Sequence, residues 1–443
     1  RRIIMHVGPT NSGKTYNAMQ RLQKAESGVY CGPLRLLAHE VYERFNAKGI
    51  PCNLITGEDR RVREDVPASL TSCTVEMVPL TDMIDVAVID EIQMISDPQR
   101  GWAWTQALLG LKAREVHLCG EPTAINLVKK ICESIDEDVE INEYVRLSPL
   151  ELADKSLNNK LENIRKGDCV VTFSRSNIFG LKREIESNTP HRCAVVYGGL
   201  PPETRAEQAR LFNDPDSGFD VMVASDAVGM GLNLNIRRVI FESMEKFNGK
   251  DVIPLNISQV KQIAGRAGRF QTAYATGVAT TLAKQDLEKM KVAMATPQQD
   301  LKMAGLQPSV DLLELFAHQI PGVPFHKLLE HFEDMAKISG LYFLCNFKDH
   351  KASDAANTIK IAQTIESLDL SLHDRYIFCK APASVRDEIV VDRLFRFARD
   401  LSQHSVSRIK KYIDLPDKEP GSMAQLQPLE SQHRVILLYI WLR

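Results

Sequence analysis

The sequence predicts an α/β protein with two tandem parallel-sheet domains followed by an all-helical C-terminal domain. Three observations predict it. Short apolar runs alternate with polar segments of helical period from residue 1 to about 148. The same alternation restarts near residue 149. After about residue 285 the apolar runs give way to helical periodicity alone. The domains are therefore placed at 1–148, 149–285 and 286–443, in line with the roughly three domains that a chain of this length suggests.

In the first domain the runs are IIMHV, GVYCGP, CNLIT, SCTVEM, DVAVID and EVHLCG, with spacers such as LRLLAHEVYERFNAKG. Short apolar strands with helical spacers are the pattern of a parallel sheet covered by its crossover helices. The second domain repeats it with DCVVTF, RCAVVYG, FDVMVAS, RRVIFES and TGVATTL, and the polar stretch SPLELADKSLNNK joins the two. In the third, DLLELFAHQIPGVPFHKLLEHFEDMAK reads as two helices. Leu312, Leu315 and Phe316 fall at i, i+3, i+4, Leu328, Leu329 and Phe332 form a similar stripe, and Pro321 and Pro324 part the two. Residue 1 lies almost on the first strand, and VILLYIWLR closes the chain as an apolar helix that stops abruptly. Both ends are expected to be trimmed.

A net charge of −2 excludes a global basic field, so any nucleic acid must be held by a local groove. The nine cysteines form no CxxC pair and mostly sit in apolar runs, which predicts reduced core thiols and a reducing compartment. No apolar run nears the roughly 20 residues of a membrane span, so no membrane partner is expected.

The stretch GPTNSGKT covers Gly8, Pro9, Thr10, Asn11, Ser12, Gly13, Lys14 and Thr15 and fits G-x-x-x-x-G-K-[ST]. A strand precedes it and a helix follows. Glycines let backbone N–H groups approach phosphate oxygens, and the helix N-terminus adds a positive dipole. Lys14 would reach the β- and γ-phosphates, and the Thr15 hydroxyl would ligate Mg²⁺. In VAVIDEIQM, Asp90 and Glu91 stand at the C-terminal end of an apolar strand, 75 residues after Thr15. Ligands of open α/β sheets bind at that edge. Asp90 would hold the Mg²⁺ shell, while Glu91, also within reach of the metal, would orient and deprotonate the attacking water. In SQVKQIAGRAGRF, Gln262, Arg266 and Arg269 fall at i, i+4, i+7, one face of a continuing helix. Gly265 and Gly268 leave that surface open for close approach. The two guanidiniums read as arginine fingers that reach the γ-phosphate from the second domain. ATP would then bridge both domains, and its hydrolysis would change their separation, as in a motor.

A phosphate loop, a DExx box and Q-x-x-G-R-x-G-R in this order resemble a superfamily 2, DExH-box helicase. With CGPLRLLAHE, TGE at Thr56 to Glu58, TVEM, GWAWTQALLGL, LCGEP, ASDAVGMGLNL, FNDP, AGLQP, LYFLCNF and YIFCKAP, the chain resembles one family over nearly its whole length. That family is the mitochondrial ATP-dependent RNA helicase of the RNA degradosome, the SUV-three type. The resemblance implies two RecA-like domains and Mg-ATP-driven unwinding of RNA duplexes, and to some extent of DNA-containing ones, in the 3′-to-5′ direction. It implies a place in the mitochondrial matrix and a 3′-to-5′ exoribonuclease partner. It implies that Gln93 couples the domains and that Gly120-Glu121-Pro122 links hydrolysis to unwinding. It puts Pro33, Arg35, Thr74, Ser174, Arg175 and Ser225 along the path of single-stranded and duplex RNA, and Asp226, Gly229 and Gly231 in a loop touching RNA and nucleotide.

Backbone N–H groups and hydroxyls can grip RNA phosphates without many lysines, which suits a near-neutral chain. Thr74 also reads as a plain strand residue and Arg175 as a surface arginine. LYFLCNF reads as core rather than a stacking platform. SRIKKYI, with Arg408, Lys410 and Lys411, reads as a solvated face or a flank of the RNA exit. No adenine-reading motif precedes the phosphate loop, so base selectivity is expected to be loose. Two other classes compete. An RNA clamp with a dead ATPase conflicts with the presence of Lys14, Asp90, Glu91, Arg266 and Arg269. A protein-remodelling ATPase conflicts with the motif order, since such machines take their arginine finger from a neighbouring subunit.

Overall fold

The computed structural model describes residues 1–62, 68–248, 251–269, 272, 274–347, 357–416 and 418–443. They form two compact units: residues 1–56, 60–93 and 110–301 make the first, and 57–59, 94–109 and 302–443 the second.

The first unit holds two sheets. One contains β1 (Arg2–Val7), β2 (Gly28–Gly32), β3 (Cys52–Ile55), β4 (Arg60–Arg61), β5 (Leu70–Thr74), β6 (Ile84–Ile89), β7 (Ala113–Gly120) and β8 (Val139–Glu143) in the order β4-β3-β5-β2-β6-β7-β1-β8. All its ladders are parallel except β3 with the two-residue β4. The helices α1 (Lys14–Gln23), α2 (Arg35–Ala47) and α4 (Ile125–Glu133) follow β1, β2 and β7. Ala18, Met19 and Leu22 of α1 and Val41 and Phe45 of α2 pack on Tyr30, Leu70, Val86 and Val88 of the strands. Register sets the site. Val7 pairs with Gly120 and Ile89 with Leu118, so β1, β6 and β7 end side by side.

The second sheet contains β9 (Leu150–Leu152), β10 (Asp168–Val171), β11 (Arg192–Val196), β12 (Phe219–Ala224), β13 (Arg238–Phe241) and β16 (Gly277–Thr281), all parallel, in the order β11-β12-β10-β13-β16-β9. A small hairpin, β14 (Glu245–Phe247) with β15 (Val252–Pro254), stands apart. The helices are α5 (Arg175–Asn188), α6 (Pro202–Asn213), α7 (Ile257–Ala264) and α8 (Lys284–Ala295). Both faces are buried, as parallel sheets require. Cys169, Val171, Met222 and Ala224 enter one core, and the alternating Val170, Val221 and Val223 enter the other. The polar stretch after residue 148 is more than a tether: its Leu150–Leu152 is the edge strand β9, paired with β16.

The second unit is helical: α3 (Gly101–Gly110, all but its last residue), α9 (Val310–Gln319), α10 (Phe325–Met335), α11 (Asn357–Thr364), α12 (Leu372–Lys380), α13 (Glu388–Ser402) and α14 (Met423–Leu442). One three-residue parallel pair, β17 (Ala304–Leu306) with β18 (Tyr342–Leu344), is added. Two details differ from the expected pattern. In α9 the buried leucine is Leu313, while Leu312 and Leu315 are 47% and 65% exposed, so of the stripe read there it is Phe316 that packs against the core. The neighbouring stripe holds: Leu328 and Leu329 are buried with Phe332 packed against the same core. Cys345 and Phe347 of LYFLCNF are also buried. No helix among the described residues is long and apolar enough to cross a membrane.

Candidate nucleotide and nucleic-acid sites

The loop from Gly8 to Gly13 joins β1 to α1 at the shared strand ends. Gly8 N–H bonds Gly120 O at 3.1 Å. A Cβ on Gly8 would lie 2.6 Å from the Tyr144 carbonyl oxygen, so only glycine fits. Asn11 and Gly13 take left-handed φ values of 59° and 77°, which turns successive N–H groups toward one concavity. Gly13 caps α1 without a side-chain bond, leaving the helix N-terminus open to an anion. Among the described residues Ser12 Oγ is buried with no hydrogen-bond partner. Lys14 Nζ folds back to the Gly8 and Pro9 carbonyls at 3.0 and 3.2 Å.

Asp90 directly follows β6 and is 6% exposed. Thr15 Oγ1 donates to its Oδ1 at 3.3 Å, and Tyr30 Oη donates to its Oδ2 at 3.0 Å. Burial and the neighbouring Glu91 push the Asp90 carboxyl up to about 6, against the pull of Lys14. Two hard oxygens side by side at a helix N-terminus suit Mg²⁺. Among the described residues no group of three or more His, Cys, Asp or Glu converges, so phosphate oxygens and water would complete the shell, as is usual for this ion. Glu91 sits at φ 53°, a left-handed turn costing on the order of 1 kcal/mol or more for a non-glycine residue. Gln93 Nε2 donates to the Glu91 carboxylate, and Gln93 Oε1 accepts Glu121 N–H at 3.1 Å. The Glu121 carboxylate in turn accepts Ser258 Oγ at 3.3 Å and Gln298 Nε2 at 3.0 Å. Burial raises its pKa. A polar chain thus runs from Glu91 to α7 beside the second sheet.

The helix that carries Gln262 does not continue through Arg269. It ends at Ala264 with Gly265 as its cap, and Gly268 takes φ 70°. Two glycines within four residues end a helix, because a backbone without Cβ escapes it at little cost. The expected close approach is real all the same. A Cβ on Gly265 would meet Thr10 Oγ1 at 2.0 Å, and Asn11 Nδ2 donates to Gly268 O at 2.7 Å. The turn therefore delivers the arginines differently from a helix face. The Arg266 guanidinium is enclosed, donates from Nε to Gly229 O at 3.0 Å, and lies in the field of Glu91 and Asp90. Arg269 lies in the field of Arg266, and burial raises the pKa of Glu40 on α2 against the pull of Arg44 and Arg269. Gln262 Oε1 is 3.6 Å from where a Gly229 Cβ would be.

The residues expected along RNA fall into two neighbouring sets at strand ends. Thr74 pairs with Gly32, so it stands next to Pro33 and to Arg35 at the start of α2. Val171 pairs with Ala224, which places Ser174 and Arg175 beside Ser225. Ser225 caps the short turn 226–229 by accepting Ala227 N–H, and Arg175 lies over the Tyr197 ring. Asp226 accepts Gln259 Nε2 at 3.3 Å. The sets meet at Gly231, where a Cβ would come 2.5 Å from Leu34. Arg408, Lys410 and Lys411 are exposed, consistent with either reading of SRIKKYI. The motifs did not point to Tyr30, Ser258 or Gln298. Tyr30 leaves one trace in sequence, a hydroxyl in an otherwise apolar strand.

Comparison with known proteins finds three matching family models. The DEXQ-box helicase domain of Suv3 matches residues 1–144, the helicase conserved C-terminal domain 153–271, and Suv3 C-terminal domain 1 residues 360–402. The whole chain is 46% identical to the Arabidopsis thaliana mitochondrial DExH-box ATP-dependent RNA helicase DExH16, covering 76% of it. The chain belongs to the Suv3 helicase family. It is also 48% identical to Arabidopsis DExH18 and 46% identical to human SUPV3L1, both named as mitochondrial ATP-dependent RNA helicases. It spans only 56% of the length of each. Among solved structures, the Escherichia coli DEAH/RHA helicase HrpB superposes over 99% of this chain and 58% of its own, with TM-score 0.55 and 13% identity. That likeness concerns the fold, two RecA-like domains with a helical C-terminal region.

Proposed function

We propose that this Suv3-family chain is an ATP-dependent RNA helicase of the mitochondrial matrix. It uses Mg-ATP to move 3′ to 5′ along RNA, unwinds RNA and DNA-containing duplexes, and feeds a 3′-to-5′ exoribonuclease. The division of labour follows the sequence, with residues 1–148 holding the triphosphate and 149–285 supplying the fingers.

One observation carries the reading. Lys14, Thr15, Asp90 and Glu91 from one sheet and Arg266 from the other share one electrostatic neighbourhood, although they are scattered over 250 residues of sequence. Mg²⁺, when bound, would supply charge neutralisation on the phosphate oxygens. Thr15 and Asp90 would hold it, Lys14 would leave the loop carbonyls for phosphate, and Glu91 would orient the attacking water. Arg266 would stabilise the charge that builds on the transferred group. The Gln93–Glu121–Ser258 chain gives the strand end a direct route to α7.

The test is steady-state ATP hydrolysis with and without single-stranded RNA, and with DNA of the same sequence, followed by strand displacement on 3′- and 5′-tailed duplexes. RNA stimulation with displacement of 3′-tailed duplexes only is expected. Equal stimulation by both polymers removes the RNA assignment, and displacement from 5′ tails overturns the polarity. No hydrolysis under any condition sinks the enzyme reading in favour of a clamp.

A further inference from the structure

Arg146 lies in the connection between β8 and β9. Its Nε donates to Ser148 O at 2.6 Å, Nη1 to Thr10 O at 3.1 Å and Gly265 O at 2.8 Å, and Nη2 to Ala267 O and, at 3.4 Å, to Gly268 O. A guanidinium has five N–H donors in a rigid fork, and here backbone carbonyls accept from all of them. Apart from Ser148 O in its own connection, the acceptors fall in two places. Thr10 belongs to the phosphate loop, and residues 265–268 are the turn that carries Arg266. The carbonyls of Gly265 and Ala267, one on each side of Arg266, are both held. Those carbonyls sit at the C-terminus of α7, where a cation is favoured. The next residue strengthens the junction: Leu147 N–H donates to Asn11 O at 2.9 Å. Asn11 Nδ2 reaches Gly268 O.

We infer that Arg146 is a positioning residue: it ties the phosphate loop to the finger turn, so that Arg266 comes into register when the loop holds a triphosphate. A planar fork onto several carbonyls fixes orientation as well as distance, which a lone ion pair between side chains does not. The role rests on the ATPase reading above. It differs from that of the fingers, because Arg146 acts through Arg266 and touches carbonyls rather than phosphate.

The experiment uses the full chain with Arg146→Ala, Arg266→Ala and the double variant. It measures RNA-stimulated hydrolysis and the Kd of a fluorescent ATP analogue. A finger turn displaced by about 1 Å should lower kcat roughly 10²-fold in Arg146→Ala. The nucleotide Kd should stay within about threefold of wild type, because the loop itself is intact. The double variant should be no slower than Arg266→Ala alone, since two residues acting through one contact are not additive. A kcat within about twofold of wild type, or losses that multiply in the double variant, overturns the role. Should Arg146→Ala not fold, Arg146→Gln removes the charge and keeps two donors, and unchanged kcat there overturns it equally. A wild-type chain without hydrolysis, or an Arg266→Ala variant without loss, overturns the ATPase reading and this role together. A silent Arg146 in a chain that depends on Arg266 overturns this role alone.

Discussion

The loop between β1 and α1 runs from Gly8 to Gly13, and the loop between β10 and α5 runs only from Thr172 to Ser174. Each leads from a buried parallel strand into a helix N-terminus. The first contains two glycines and a left-handed Asn11, and a lysine opens its helix. The second contains no glycine, Thr172 Oγ1 donates to the Glu242 carboxylate at 3.1 Å, and Ser174 Oγ meets Ser176 Oγ at 2.9 Å. A helix N-terminus is therefore not enough to hold a triphosphate. The concavity comes from loop length and left-handed residues.

The largest expected effect breaks the first loop. Lys14→Ala should abolish hydrolysis while circular dichroism and the melting temperature stay close to wild type; unchanged turnover would refute the site. Next come the two arginines that the second sheet sends across. Arg266→Ala should lower kcat by about 10³-fold, as for a lost arginine finger, with ATP binding largely retained. Arg269→Ala should cost less, because its neighbours are Arg266 and Glu40 rather than the carboxylate pair. The reverse ranking in steady-state kcat would show that the turn rearranges on nucleotide binding.

A third effect is set by pH. Asp90 must be ionised to hold a cation, and burial raises its pKa to about 6. The kcat/KM for ATP, which reports the free enzyme, should fall as pH drops through about 6. The sign for stability is opposite. A raised carboxyl pKa means that the ionised form destabilises the fold above about 6 and that the penalty is relieved as pH falls toward 3.8. Asp90→Asn should therefore melt higher than wild type at pH 8, and the gap should close in acid. An Asn variant that melts lower at pH 8 contradicts the burial argument. The smallest effect belongs to the second loop. Arg175→Ala should raise the RNA concentration for half-maximal stimulation by about tenfold, the worth of one charge-assisted hydrogen bond. A shift below twofold in that titration would mark Arg175 as a surface residue stacked on Tyr197.

The phosphate loop and the Asp90-Glu91 strand end were legible because their chemistry is written in contiguous residues. Glycine spacing, an apolar strand and a following helix leave few alternatives. The segment with Arg266 and Arg269 is legible in composition but not in shape. Its helical spacing runs across Gly265 and Gly268, and two glycines so close together mark a helix end. In α9 periodicity points to the wrong leucines, since a register shift of one residue, from Leu312 to Leu313, turns the helix by about 100°. The edge strand β9 is three residues long and sits in polar sequence, below what periodicity resolves. Arg146 gave no sign at all. A single arginine in a connection acquires partners only when two distant turns fold against it.

All nine cysteines are free and buried. Burial raises the thiol pKa at Cys52, Cys169, Cys193 and Cys379 among others, so little thiolate exists at neutral pH. Peroxide and alkylating probes react with thiolate. The cysteines of the folded protein should thus be almost inert to both, which leaves a blank background for single-site thiol labelling. A pair of cysteines introduced on the two sheets would carry the only reactive dyes, and energy transfer between them would report each cycle of nucleotide use directly.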